Sequence, residues 1–191
     1  MRVIGAACQG GGGAIAQHLG RAALAPPSLE DEGARVQPSW LVAFLQRPTA
    51  LRPWLSMRMP DYGLSEVEAT VLARYFATLA DLGSTDELVP SASEAAVKQG
   101  LQRFANLQCV QCHAASADTK PPPGVDPADL AIDLGLAKKR LRPSWIPRFL
   151  AHPKTVAGEQ SRMPAIFYTA DGAPKVDEPA ADVAAITTFL L

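Results

Sequence analysis

The sequence has little net charge and no long apolar run. Its 191 residues hold 18 Lys and Arg against 19 Asp and Glu, a formal net charge of -1. A chain with so little net charge has a weak electrostatic field, which excludes general binding to nucleic acid or to an anionic membrane surface. The uncharged stretch 3–20 contains Gln9, Gln17, His18 and a run of glycines, so it does not predict a membrane-spanning helix.

Strand patterns and a secretion signal are also missing. No segment alternates apolar and polar residues cleanly over four or more positions, so strands are not expected. The 17 prolines predict short helices joined by stiff turns and long loops. Between Arg2 and the glycines at 10–13 lie too few apolar residues for a signal peptide. We therefore expect an all-α fold.

An internal repeat organises the chain. The segment PSWLVAFLQRP at 38–48 recurs as PSWIPRFLAHP at 143–153, an offset of 105 with six of eleven positions identical. Arg-Met-Pro at 58–60 recurs at 162–164. Because residues 83–90 are polar and rich in turn formers, we predict two domains, 1–87 and 88–191, called here the first and second repeat.

Helix signals recur in both repeats. In the second, Ser91 and Glu94 predict a capping box that opens a helix with a stripe of Val97, Leu101 and Phe104. A short helix at 145–151 should close at Pro153, and Pro179 should open a last helix that carries Val183, Ile186, Phe189 and Leu190. In the first repeat we expect a helix at 40–47 and another, capped by Ser65 and Glu68, that carries Val67, Val71, Tyr75 and Leu79.

The strongest chemical signal is Cys109-Val110-Gln111-Cys112-His113. C-x-x-C-H is the attachment signature of a c-type haem. Two thiols on one turn can add to the vinyl groups at one haem edge, and the next residue carries an imidazole to the iron. The C-x-x-C pair alone also suits a redox dithiol or half of a zinc site.

Over residues 91–191 the sequence resembles the class I c-type cytochromes. Gly100 and Phe104 precede the motif as in that family, and a proline loop, Trp145, Met163-Pro164 and a terminal helix follow in order. The resemblance implies one covalent haem c, with Cys109 and Cys112 as thioether anchors and with His113 and Met163 as the iron ligands. It also implies that a backbone carbonyl, at Pro127 or at one of the prolines 121–123, accepts a hydrogen bond from His113.

Several residues have two interpretations. Trp145 is either a core residue or a hydrogen-bond donor to a haem propionate, the role that the resemblance implies. Lys138, Lys139, Arg140 and Arg142 form either a solvated face or a patch for partner docking and propionate neutralisation, with Arg140 and Arg142 nearest the Trp helix. His152 is expected at the surface.

We interpret the first repeat as a degenerate copy. Gly5-Ala6-Ala7-Cys8-Gln9 stands where the motif should be, so one thiol remains and the imidazole is lost. We expect no haem there, although Cys8 and His18 leave that possibility open. We expect this repeat to be N-terminally incomplete, because only four residues of the sequence precede Gly5, where the resemblance places a helix. The helix from Ser65 to Leu82 should consequently leave an apolar stripe uncovered and make this repeat less stable than the second.

The expected function is electron transfer, not enzymatic catalysis. Partners would be redox donor and acceptor proteins and a membrane respiratory complex, without a small-molecule substrate. The resemblance implies a periplasmic protein, and the missing signal suggests that the sequence is an N-terminally truncated form. The alternatives are a diheme peroxidase-like oxidoreductase, a structural adaptor, and a zinc site formed by Cys109, Cys112, His113 and His152.

Overall fold

The computed structural model describes residues 29, 31–49, 51, 59–113, 131–158, 161 and 163–191. Contacts divide the chain into Met1–Glu30 and Asp31–Leu191, and every element named below lies in the second unit. The helices are α1 Glu32–Arg35, α2 Pro38–Gln46, α3 Glu66–Leu79, α4 Glu94–Asn106, α5 Ala137–Arg140, α6 Trp145–Ala151, α7 Pro153–Ala157 and α8 Pro179–Leu190, with 3-10 turns at Cys109–Gln111 and Leu134–Leu136.

The described residues contain no sheet. Their extended pairings are two isolated bridges, Val36–Leu141 and Tyr168–Pro174. The all-α prediction is therefore confirmed for this part of the chain. None of the helices in the described ranges is long and apolar enough to cross a membrane.

The predicted helix ends are largely confirmed. Ser65 and Glu68 form the capping box at the start of α3, and α8 starts with Pro179 in its first turn. The prediction for α4 is wrong in one detail, because Ser93 and not Ser91 is its N-cap and accepts a hydrogen bond from the Ala96 amide at 3.3 Å. Leu101 is also 43% exposed, since the buried edge of α4 is formed by Gly100 and Phe104.

Each repeat has its own hydrophobic cluster. The first cluster lies between α2 and α3, and the second contains residues of α4, α6 and α8. The repeated Trp helices, α2 and α6, also pack alike. Trp40 stacks on Phe44 with ring centroids 4.8 Å apart, and Trp145 stacks on Phe149 at 4.4 Å. The repeat seen in the sequence is therefore a repeat of packing.

The two repeats meet through a local twofold arrangement. The bridge joins Val36 to Leu141, which occupy the same position in the two repeats at the offset of 105. The Gln37 amide donates to the Arg140 carbonyl at 2.8 Å, and the Arg142 amide donates to the Arg35 carbonyl at 3.0 Å. Arg142 corresponds to Gln37 and Arg140 to Arg35, so each repeat gives and receives the same hydrogen bond.

The segment between the repeats is bound at this contact. The Ser39 amide donates to an Asp86 carboxylate oxygen, and the Ser144 amide donates to a Glu87 carboxylate oxygen, both at 2.9 Å. These equivalent serines lie at the N-termini of α2 and α6, where a carboxylate is favoured by the unpaired amides and the helix dipole. The side-chain amide of Gln37 also pairs with the backbone N–H and C=O of Glu87, at 2.9 Å each.

The predicted domain boundary near residue 88 lies within the unit Asp31–Leu191. Residues of both repeats share this unit, and the backbone hydrogen bonds of the contact join them directly. The division into domains 1–87 and 88–191 stays a prediction.

Glu87→Ala should destabilise the protein more than Asp86→Ala. Asp86 caps one helix, so its loss should cost about 1 kcal/mol. Glu87 caps the other and also faces the buried guanidinium of Arg142 at 3.4 Å, so its loss should cost about 2–3 kcal/mol. Urea unfolding of the two variants measures the difference, and equal losses would contradict the role given to the Glu87–Arg142 pair.

Gly100→Ala should destabilise the crossing of α4 and α8. A Cβ at Gly100 would lie 2.1 Å from the Ala185 carbonyl oxygen and 2.7 Å from the Phe189 Cβ. Overpacking of this kind should outweigh the higher helix propensity of Ala and leave a net loss of about 1–2 kcal/mol. Gly83→Ala is the control, because its Cβ would meet only Thr85 Oγ1 at 3.8 Å. Thermal unfolding midpoints that fall equally in both variants would contradict the close crossing.

Candidate functional site

One turn presents the three side chains of the C-x-x-C-H motif. The 3-10 turn Cys109–Gln111 is separated from the end of α4 by two residues, of which Gln108 adopts a left-handed conformation with φ of 60°. The amides of Cys112 and His113 both donate to the Cys109 carbonyl, at 3.2 and 3.0 Å. Cys109, Cys112 and His113 are thus held on one compact backbone turn at the end of a helix that belongs to the second cluster.

The two thiols differ in their surroundings. Cys109 is partly buried against the second hydrophobic cluster, whereas Cys112 is exposed. Burial raises the pKa of the Cys109 thiol above its ordinary value, because removal from water disfavours the thiolate; a hydrogen bond to its own backbone acts in the opposite direction. The pair is therefore chemically unequal despite its shared turn.

A backbone carbonyl orients the imidazole of His113. Its Nδ1 lies 3.2 Å from the Ile132 oxygen. Because a carbonyl can only accept, this contact places the proton of a neutral imidazole on Nδ1 and the lone pair on Nε2. The segment that carries Ile132 is itself hydrogen-bonded to the motif, since the Ala131 amide donates to the Cys112 carbonyl at 2.9 Å.

The sequence predicts a proline carbonyl as the hydrogen-bond partner of His113. Pro127 and the prolines 121–123 lie outside the described residues, and so do Cys8, Gln9 and His18 of the first repeat. Within the described residues, Ile132 occupies the predicted role of carbonyl acceptor. Sequence reasoning missed it, because nothing in the chain marks a backbone oxygen 19 residues away as the one that meets the ring.

The structure brings some of the other predicted site residues to one cluster. Met163 is half-buried and packs against the second hydrophobic cluster, as Cys109 does. Trp145 is a buried member of that cluster and is stacked on Phe149, which agrees with its interpretation as a core residue. His152 is exposed, as predicted, and stacks on Tyr168 with ring centroids 5.2 Å apart.

The solvated-face interpretation of the basic run is wrong for two of its members. Lys138 and Lys139 are exposed, but Arg140 and Arg142 are only 6% and 2% exposed. The guanidinium of Arg142 donates to the carbonyls of Gly33 and Gly83 at 2.9 Å each, in addition to its pair with Glu87. Arg142 is thus a structural residue of the contact between the repeats. These partners are 55 or more residues away in sequence, so local charge patterning could not reveal them.

Arg140 also reaches the first repeat. Its guanidinium carbon lies 5.1 Å from the ring centroid of Trp40, the equivalent of Trp145. A cation over an indole face is attracted by the ring quadrupole, and more strongly when the pair is shielded from water. One residue of the predicted site is therefore positioned by the other repeat.

A zinc site does not form among the described residues. No group of three or more His, Cys, Asp or Glu side chains gathers there for a metal ion. Cys109, Cys112, His113 and His152 are all described, and the structure does not bring the four together as tetrahedral zinc requires.

Comparisons with protein-family models, with curated protein sequences and with solved structures found no match. The resemblance to the class I c-type cytochromes therefore stays a prediction from the residue pattern.

Alkylation should distinguish the two motif thiols in protein made without haem. Since burial raises the pKa of Cys109, a smaller fraction of it is thiolate at neutral pH, and iodoacetamide should modify exposed Cys112 faster. Peptide mapping by mass spectrometry over time measures both rates in one sample, and urea-unfolded protein is the control in which the rates should converge. Equal rates in the folded protein would contradict the unequal burial.

Proposed function

We propose that the chain is an electron-transfer protein whose second repeat carries one covalently attached haem c. The observation that carries the proposal is the single turn that holds Cys109, Cys112 and His113, with Nδ1 of the imidazole on a backbone carbonyl. The donor chemistry fits this group: two thiols can form thioethers with the vinyl groups, and an imidazole with its lone pair on Nε2 can bind iron.

Met163 is proposed as the second iron ligand. It is the only methionine of the second repeat in the sequence, and it packs against the same cluster as Cys109. Bound haem supplies a one-electron couple between ferrous and ferric iron. With haem bound, the soft thioether of Met163 and the imidazole of His113 would favour the ferrous state and raise the reduction potential, and the apolar surroundings would act in the same direction.

The buried Arg140 is proposed to neutralise a haem propionate. A planar, permanently charged guanidinium is suited to a carboxylate, and its position over Trp40 limits the side-chain freedom that would be lost on pairing. Trp145 contributes to the core of the repeat. We also propose that it donates a hydrogen bond to a haem propionate, the role that the resemblance implies.

The two repeats are proposed to form a cytochrome-like pair in which the first carries no haem. The similar packing of α2 and α6 supports a common origin of the repeats, while residues 5–9 lack a second C-x-x-C-H. Because haem c is attached on the export side in the family that the sequence resembles, we propose a periplasmic location. Redox donor and acceptor proteins, including a membrane respiratory complex, are the proposed partners.

A carrier is favoured over a diheme peroxidase-like enzyme. Such an enzyme needs an iron with an open coordination position and a second haem to supply electrons. The chain has one complete attachment motif, and Met163 is available as a sixth ligand in the same repeat.

Met163→Ala should abolish the far-red charge-transfer band between a thioether sulfur and ferric iron while haem stays attached. The matched control is Met59→Ala, which changes the equivalent methionine of the first repeat, itself 40% exposed, and should leave the band unchanged. Absorption spectra of the oxidised, exported proteins measure this. A band that persists in Met163→Ala contradicts the ligand, and efficient peroxide turnover by the unaltered protein contradicts the carrier function.

A further inference from the structure

We propose that α3 of the first repeat is a docking surface for an amphipathic helix of a partner protein, one with the sequence pattern of α4. The proposal goes beyond electron transfer and does not depend on haem.

One face of α3 is apolar and exposed. Val67, Val71, Tyr75 and Leu79 recur every four residues, which places them on one side of the helix, and they are 73%, 59%, 48% and 52% exposed. The other side packs on α1 and α2 through Ala69, Ala73, Phe76 and Ala77. An apolar stripe left in water on a helix already packed by its opposite side is typical of an interaction surface.

The second repeat contains the same helix with its face covered. The pattern A-x-x-L-x-x-Y-F at 69–76 corresponds to V-x-x-I-x-x-F-L at 183–190 in α8, each residue 114 positions later. The helix α4 crosses α8 over Ala185 and Phe189. The effect on burial is clear at one pair: Leu72 is 36% exposed, whereas its equivalent, Ile186, is 1% exposed.

Two of the exposed residues of α3, Val71 and Tyr75, stand at positions where α8 receives α4. Gly100 of α4 comes close to the backbone of Ala185, and the ring of Phe104 lies 5.4 Å from that of Phe189. Ala185 corresponds to Val71 of α3, and Phe189 corresponds to Tyr75. The first repeat thus keeps the receiving surface, and the described residues of that repeat include no counterpart of α4.

Charge complementarity indicates the same kind of occupant. Arg103, between Gly100 and Phe104, pairs with Asp182 at 3.2 Å. The equivalent of Asp182 in α3 is Glu68, which is exposed and lies beside the stripe at the first turn. A partner helix with the pattern G-x-x-R-F would therefore place its basic residue next to Glu68 and its aromatic ring on Tyr75.

A partner chain is favoured over a second copy of this chain as the occupant, because α4 is already engaged. Its buried residues, Gly100 and Phe104, pack on α8 of their own repeat. A second copy of the chain could present α4 only by opening that packing.

A labelled peptide of residues 91–108, the α4 sequence, is the probe. Fluorescence anisotropy should show saturable binding to the full chain, and Val71→Lys in the protein should weaken it about tenfold or more, as a charge in an apolar contact requires. Leu88→Lys is the matched control: it places the same charge at an apolar residue that is 93% exposed but outside α3, and it should bind as the unaltered chain does. A Gly100→Leu peptide should bind more weakly, because its side chain blocks the close approach.

A charge test and an assembly test complete the experiment. Glu68→Gln keeps a residue suited to the capping box, so it should weaken peptide binding and reduce its salt dependence without unfolding α3. Equal binding by Val71→Lys and Leu88→Lys, or no binding by the unaltered chain, would overturn the proposal. So would a dimer in sedimentation that Val71→Lys dissociates, because a second copy would then cover the stripe. Since none of these measurements needs haem, their failure would leave the electron-transfer proposal standing.

Discussion

The contact between the buried Arg142 and the partly exposed Glu87 is the constraint around which the two repeats are arranged. Arg142 is 2% exposed, and its guanidinium binds two backbone carbonyls and the Glu87 carboxylate, which in turn holds the N-terminus of α6. A buried cation without such partners would be strongly unfavourable, so the segment between the repeats must lie where it does. Gln37, the equivalent of Arg142, binds the backbone of the same Glu87. One linker residue thus fixes both halves of a local twofold contact.

Within this nearly symmetric frame, the repeats differ where function is expected. The second has α4, the C-x-x-C-H turn and a half-buried methionine; the described part of the first has none of the three but keeps the Trp helix and the helix equivalent to α8. The contact between them is not passive, because Arg140 of the second repeat lies over Trp40 of the first. We therefore propose different roles for the two repeats. The second repeat carries the redox group. The first repeat positions Arg140 through Trp40 and presents α3 to a partner.

Local signals in the sequence predicted the five longer helices, α2, α3, α4, α6 and α8, but not the short helices α1, α5 and α7. The Ser65–Glu68 capping box, Pro179 in the first turn of α8 and the repeated Trp helices depend on neighbours within a few residues, and the structure has them. The wrong predictions concern choices that the local sequence does not decide. Ser91 and Ser93 both suit an N-cap by residue type, and Arg140 and Arg142 form a charged run whose burial is decided by Trp40, Gly33, Gly83 and Glu87. The motif spacing likewise identified His113, but only tertiary structure assigns its Nδ1 to the Ile132 carbonyl.

The two similar repeats are proposed to differ in haem attachment, and the number and position of bound haems test this asymmetry most directly. Protein exported from cells that attach haem c should be measured intact by mass spectrometry and then mapped after proteolysis. We predict the mass of one haem, located on the peptide that contains Cys109 and Cys112. A second haem on the peptide that contains Cys8, or no haem at all, would contradict the central claim.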